Sequence, residues 1–353
     1  MALRQRFTPV ALLGAVLMAT ACTGSGNDRD PADAGETRQD GEYQVNAGVP
    51  EQYRAKALAD GKHRAIDACG LHDPDAAQKA TGDRGDEILP STSGLQECTL
   101  RLHQGEFKST WTLYLEVGTA YDAGSRKNDA PEQLGGMDVF VSEGEDGKRC
   151  EISKPLDDKH AVQVRASASN DTPAKPACQV LREYVTALAP VWKNMPKHGG
   201  GRTAPELTLV KLDPCAAAAA TLDMFEEGFL KTSGPMACTA RSAKVMPPQQ
   251  KPAKGVGQPE VSVTWIMASD PAKLIRPGDN NTAREITVEG RKAVLSPGSY
   301  GCSTYVVWDD QIKVDQDNRA ADDDLTQQMR IQTATCDTAE EVTKKILARV
   351  GRR

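Results

Sequence analysis

Apolar and polar side chains alternate along several stretches of this chain, the period of a strand with one buried face. Residues 109–117 show it best. Trp111, Leu113, Leu115 and Val117 fall on one side, and Thr110, Thr112, Tyr114 and Glu116 on the other. Residues 95–102, with Cys98 among them, predict a strand before it. Residues 161–168 predict one after it, with Val162, Val164, Ala166 and Ala168 on a common face. Between these, residues 136–141 and 148–153 bracket the turn Gly144-Glu145-Asp146-Gly147 and predict a hairpin. Helical spacing replaces alternation at residues 51–59 and again at 176–192, where Val180, Leu181, Tyr184, Val185 and Leu188 form one stripe. Asp73-Pro74 supplies an N-cap and first-turn proline for a short helix through Ala80, and residues 82–94 read as loop.

The same order then recurs. Asp213-Pro214 predicts a helix start that runs through the alanines to about Glu227, and Cys238 falls on a strand. Val261, Val263 and Trp265 share one face of the next strand, with Ser262 and Thr264 on the other. Residues 290–295 match the stretch at 136, and residues 301–308 and 329–335 predict two further strands. A closing helix is expected over 338–350, with Thr338 and Glu341 as a capping box and Val342, Ile346, Leu347 and Val350 as its buried stripe. Residues 246–259, rich in Pro, Gly and Lys, are an insertion that the first copy lacks. The expected fold class is α+β: two tandem copies of an antiparallel sheet flanked by helices. The expected domains are 49–198 and 206–353, separated by a linker at 199–205 around Gly199-Gly200-Gly201.

The cysteines follow the repeat. Of nine, eight fall four to a copy: Cys69, Cys98, Cys150 and Cys178, then Cys215, Cys238, Cys302 and Cys336. An even set in regular order behind an export signal reads as a disulfide framework, and the chain has no C-x-x-C to indicate a redox or zinc site. Four cysteines allow three pairings per copy. Position by element favours Cys69–Cys98, Cys150–Cys178, Cys215–Cys238 and Cys302–Cys336, each tying a helix to the sheet. Staples matter here because aromatic residues make up only 5% of the 353, so the cores must be mainly aliphatic. Closing a loop of about 30 residues contributes roughly 3.5 kcal/mol.

The ninth cysteine belongs to the start of the chain. Arg4 and Arg6 precede an apolar run at residues 10–18, and Ala19-Thr20-Ala21-Cys22 follows. This resembles a bacterial lipoprotein signal (residues 1–22) in which Cys22 becomes the lipidated N-terminus, with Ala19 where such signals usually carry Leu. Residues 23–48 hold hardly an apolar side chain and read as a flexible tether. The expected location is the extracellular face of the cell membrane, the lipid at Cys22 being the membrane contact.

Asp213-Pro214-Cys215 opening a helix, followed by Cys238 on a strand leading to Trp265, resembles a family of secreted actinobacterial lipoprotein domains of unknown function. The first copy has Ala68 in place of the proline. The resemblance implies a cell-envelope location and an α+β fold, and it brings no catalytic residues.

Candidate chemistry is sparse. The five histidines, His63, His72, His103, His160 and His198, all lie in the first copy. His103 and His160 would make a metal or acid/base pair if their strands were neighbours, but no carboxylate stands at motif spacing, so solvated histidines are the expectation. Asp309, Asp310, Asp315, Asp317 and Asp322-Asp323-Asp324 lack the glycine and terminal glutamate of an EF-hand and read as a solvated loop. Arg101 and Arg241, equally spaced after their cysteines, would suit an acidic ligand but are expected on an outward strand face. Trp111 and Trp265 are expected in the cores. A net charge of −6 argues against a nucleic-acid partner. No catalytic, cofactor or metal residues are predicted. The expected role is non-catalytic binding of an envelope protein or small ligand, at the cleft between domains. A wall hydrolase with carboxylates hidden from sequence, or an assembly factor for exported proteins, are the alternatives.

Overall fold

The computed structural model describes residues 43–91, 94–104, 108–144, 146–169, 175–198, 207–244, 260–275, 283–299, 301–314 and 325–351. All of them belong to one compact unit, Ala34–Arg353. In the first half, α1 (Glu51–Arg64) and α2 (Pro74–Thr81) precede β1 (Arg84–Pro90), β2 (Glu97–Gln104) and β3 (Lys108–Ala120). Next come β4 (Ala130–Leu134), β5 (Met137–Glu143), β6 (Arg149–Pro155), β7 (His160–Ala168) and the closing helix α3 (Ala177–Lys193). The second half runs α4 (Pro214–Ala218), β8 (Gly228–Gly234), β9 (Ala237–Ser242), β10 (Glu260–Ser269) and β11 (Arg284–Val288). It ends with β12 (Arg291–Gly298), β13 (Gly301–Val314), β14 (Leu325–Thr333) and α5 (Cys336–Val350).

Each half is a seven-stranded antiparallel sheet with helices on one face. The strand orders are β1-β2-β3-β7-β6-β5-β4 and, read from its other edge, β8-β9-β10-β14-β13-β12-β11, which is the same topology twice. Four disulfides, Cys69–Cys98, Cys150–Cys178, Cys215–Cys238 and Cys302–Cys336, join helical segments to strands at matching places. The alternation explains the packing. Val162, Val164 and Ala166 of β7 are buried, as are Val180, Leu181, Tyr184, Val185, Leu188 and Trp192 of α3, and all belong to one core.

Several expectations need correcting. Residues 84–90, expected as loop, form β1, and β4, β8 and β11 are strands that the alternation did not indicate. All four are sheet edges. An edge strand needs no continuous apolar face and tolerates the charges, Gly and Pro found in Arg84–Pro90. The helix at Pro214 lasts only to Ala218 before tightening into a 3-10 turn over Ala219–Met224. The last helix starts at Cys336 with Thr335 at its N-cap, so the Thr338–Glu341 capping box does not form. Trp111 and Trp265 are both buried, but they are not equivalents. Cys98 faces Leu115 and Cys238 faces Val263, so Trp265 occupies the place of Val117.

The halves are interlocked. Helix α1, expected in the first domain, lies against both β3 and β8. Val49, Ala57, Leu89 and Leu95, all preceding the proposed linker, join the core of the second half. The end of the expected tether is folded as well. Val45 packs against that core, and the Leu230 amide donates to the Gly48 carbonyl at 2.9 Å. Under them, Tyr43 donates to Asp213 at 3.0 Å, while the Arg64 guanidinium lies 3.3 Å from the same carboxylate and 5.0 Å over the Tyr43 ring. Burial, and then the Asp213 charge, push the Tyr43 phenol well above its ordinary range.

One buried histidine makes the first core sensitive to acid. His72 is enclosed between the Tyr184 hydroxyl, 2.9 Å from Nδ1, and the Cys98 carbonyl, 3.3 Å from Nε2. Nε2 must donate to the carbonyl, and in the neutral ring that burial favours, Nδ1 accepts from the tyrosine. Burial lowers its pKa from 6.5 to about 4. A folded pKa below the unfolded one means this contribution is present above pH 6.5 and is lost as pH falls through about 4. The stability gap between wild type and His72→Gln is therefore expected to shrink by about 3 kcal/mol between pH 7 and pH 4. Urea titrations at a series of pH values measure it, and a pH-independent gap would contradict the assignment.

Candidate functional site

Among the described residues, polar side chains converge at the junction of the halves and on the outward face of the first sheet. At the junction, α1 presents Asp60 and His63 to the turn between β6 and β7. Asp157 shapes that turn by accepting the Lys159 and His160 amides at 2.8 and 2.9 Å, which sets His160 at the first position of β7. His160 Nδ1 lies 2.9 Å from Asp157 Oδ1, and His63 Nε2 lies 3.6 Å from Asp157 Oδ2. The imidazole centroids are 5.0 Å apart at 66°. On the far side of His160, Nε2 is 3.7 Å from Asp60 Oδ1.

Burial governs this cluster. His63, His160 and Asp60 are buried, whereas Asp157 is exposed. Asp60 Oδ2 receives the Lys56 ammonium at 2.6 Å and the Thr232 hydroxyl of β8. Asp60 Oδ1 and His63 Nδ1 have no hydrogen-bond partner. Burial, reinforced by the neighbouring His160, holds His63 below the ordinary histidine range. Burial would raise Asp157, but the Lys159 amide and the His160 ring outweigh it and hold the carboxyl low. A neutral His63 imidazole therefore faces an ionised carboxylate. Gly118 makes room for the group: its φ of +76° forms a bulge in β3, and a Cβ there would sit 2.7 Å from Pro235 and 3.2 Å from the His63 Cβ.

The sequence led to an expectation of solvated histidines, with His103 and His160 paired only if their strands were neighbours. Instead His63, His72 and His160 are buried, and the fold separates His103 from His160. His103 faces Ser109 at one end of β3 and His160 faces Ala120 at the other. Ser109 and Ala120 are eleven positions apart along the strand, about 35 Å. His63 was the missing member. Its helix gives no local sign of proximity to β7, so no spacing rule could have found it. His198 instead neighbours Asp67 at 3.9 Å.

The second place is a depression of about 450 Å³ on the outward face of the first sheet. Tyr114, Arg165 and Glu151 stand in one cross-strand row, with Glu143, Arg149 and Ser167 around them. Tyr114 is 44% exposed, unusual for so large a ring, and Arg165 lies 3.9 Å from Glu151. Burial pushes the Glu151 carboxyl up against the opposing pull of Arg165, and burial together with Glu97 pushes Glu116 up on the same face. The corresponding row of the second half is Ser262, Gln332 and Ser303, so this chemistry belongs to the first half alone.

Other singled-out residues fall elsewhere. Arg101 and Arg241 are equivalent, half-buried positions facing Thr112 and Glu260, the latter pair at 2.7 Å. Asp309 lies on β13. Cys22, the linker 199–205, the insertion 246–259, and Asp315, Asp317 and Asp322-Asp323-Asp324 lie outside the described residues. No helix among the described residues is long and apolar enough to cross a membrane.

No family model matches the chain, and no curated protein matches it. Among solved structures it is similar to the di-domain ARO/CYC StfQ from the steffimycin biosynthetic pathway, at 11% identity and a TM-score of 0.14, over 81% of this chain and 90% of that one. A likeness at that score carries no argument about fold or chemistry.

Proposed function

We propose that this is an exported lipoprotein, held to the outer face of the cell membrane through Cys22, that binds a small polar ligand or an envelope protein without transforming it. The supporting observation is the depression around Tyr114. Its volume falls in the range of ligand pockets, about 300–1,000 Å³, and it offers an exposed ring, two guanidiniums and two carboxylates as directional contacts. Its place on a sheet face, rather than in a cleft between domains, revises the location expected from the sequence. The junction is instead packed with buried side chains of both halves. A disulfide-stapled sheet holds such a face in one shape, which lowers the ordering cost of binding.

The test is made in intact cells, with a photoreactive phenylalanine analogue at position 114. The expected result is a membrane-fraction protein carrying a crosslinked adduct, no adduct from a control probe at Asp158, and loss from the membrane fraction for Cys22→Ser. An uncrosslinked protein, or one that fractionates the same way without Cys22, would reject this reading. The wall-hydrolase reading has one specific observation behind it, the raised carboxyls of Glu116 and Glu151 on a common face, a pattern used for acid/base pairs. Release of soluble wall fragments that Glu116→Gln abolishes would favour it.

A further inference from the structure

We infer that His63, His160 and Asp157 form a binding site for a divalent first-row transition metal, with Zn²⁺ the best match. The site is separate from the Tyr114 depression and independent of what binds there. Two imidazoles and a carboxylate are a donor set suited to Zn²⁺, whereas Ca²⁺ and Mg²⁺ prefer oxygen alone. One ligand atom from each of the three residues falls within 4.8 Å of the other two. Around a tetrahedral ion with bonds of about 2.0–2.1 Å, ligand atoms stand roughly 3.3 Å apart. A single carboxylate oxygen, Asp157 Oδ2, lies 3.0 Å from His160 Nδ1 and 3.6 Å from His63 Nε2, and these separations bracket that spacing.

The surroundings supply the second observation. Asp60 is buried with Oδ1 unpartnered, and that atom faces His160 Nε2 at 3.7 Å. Metal ligation by His160 through Nδ1 leaves the proton on Nε2, directed at this oxygen. A carboxylate behind a ligating histidine is the usual outer support of such sites: it sets the tautomer and orients the ring. Lys56 and Thr232 hold the other Asp60 oxygen and so fix the carboxylate itself. Exposed Asp157 leaves a solvent side from which an ion arrives and a water completes the coordination. The metal would fasten α1, which packs on both sheets, to the β6–β7 turn of the first.

Untagged mature protein, with its disulfides intact and stripped with chelator but no reductant, would be titrated with Zn²⁺ by calorimetry and with Co²⁺ by visible spectroscopy. One equivalent of Zn²⁺ and a Co²⁺ spectrum of tetrahedral intensity are expected. Asp157→Asn keeps a side-chain oxygen for the Lys159 and His160 amides, so it preserves the turn while removing a charged ligand. It and His63→Gln should each weaken Zn²⁺ at least 100-fold. Asp60→Asn should weaken it about 10–100-fold and leave the Co²⁺ spectrum tetrahedral. Folded wild type that takes up no metal, or uptake unchanged in both Asp157→Asn and His63→Gln, would overturn the site.

Discussion

Replacing Arg64 by methionine is expected to destabilise the protein by about 3–5 kcal/mol, the usual cost of removing one member of a buried ion pair. The side chains of Arg64 and Asp213 are only 6% and 2% exposed, so solvent cannot compensate the carboxylate left behind. The guanidinium also donates to the Pro235 carbonyl at 3.4 Å, and that contact to the second half is lost with it. Asp213 meanwhile has a local task, accepting the Cys215 amide at 3.0 Å as the N-cap of α4. Asparagine caps helices about as well as aspartate. The double variant Arg64→Met with Asp213→Asn should therefore regain at least about 1 kcal/mol over the single one, because it removes the stranded charge and keeps the cap. Equilibrium urea unfolding measures both. A single variant within about 1 kcal/mol of wild type would show that the pair does not couple the halves.

The second large effect concerns the staples. Removing the Cys302–Cys336 bond as a double alanine variant is expected to cost about 3–4 kcal/mol. Its sequence separation of 34 is the longest of the four, and loop-closure entropy grows with that length. The bond joins β13 to the first turn of α5, whose Ala339, Val342, Ile346 and Leu347 are buried. Loss should therefore appear first as exchange of α5 amides. Hydrogen exchange resolved by segment, beside the denaturation midpoint, separates this outcome from a uniform loss. An unchanged midpoint would contradict the structural role of the bond. Both effects act on one cooperative unit, and the interlocked halves predict a single unfolding transition in each case.

Two sets of residues mark how far reading along the chain reaches. The eight paired cysteines, the alternation through Leu113, Leu115 and Val117, and the stripe from Val180 to Leu188 were legible, and they led to the duplicated α+β fold with its disulfides. In each case the signal is local. A strand or helix with one buried face must repeat its apolar side chains at that element's own period, and cysteines in like order imply like bonds.

The rest depends on partners distant in sequence. β1, β4, β8 and β11 exist because a neighbouring strand offers hydrogen bonds at the sheet edge, not because their side chains alternate. Arg64 meets Asp213 across 149 positions, and His63 meets His160 only because α1 lies against the Gly118 bulge of β3. No period or spacing encodes such a meeting. It follows from how two finished sheets and the helix between them pack, which also decides where the buried histidines and carboxylates converge.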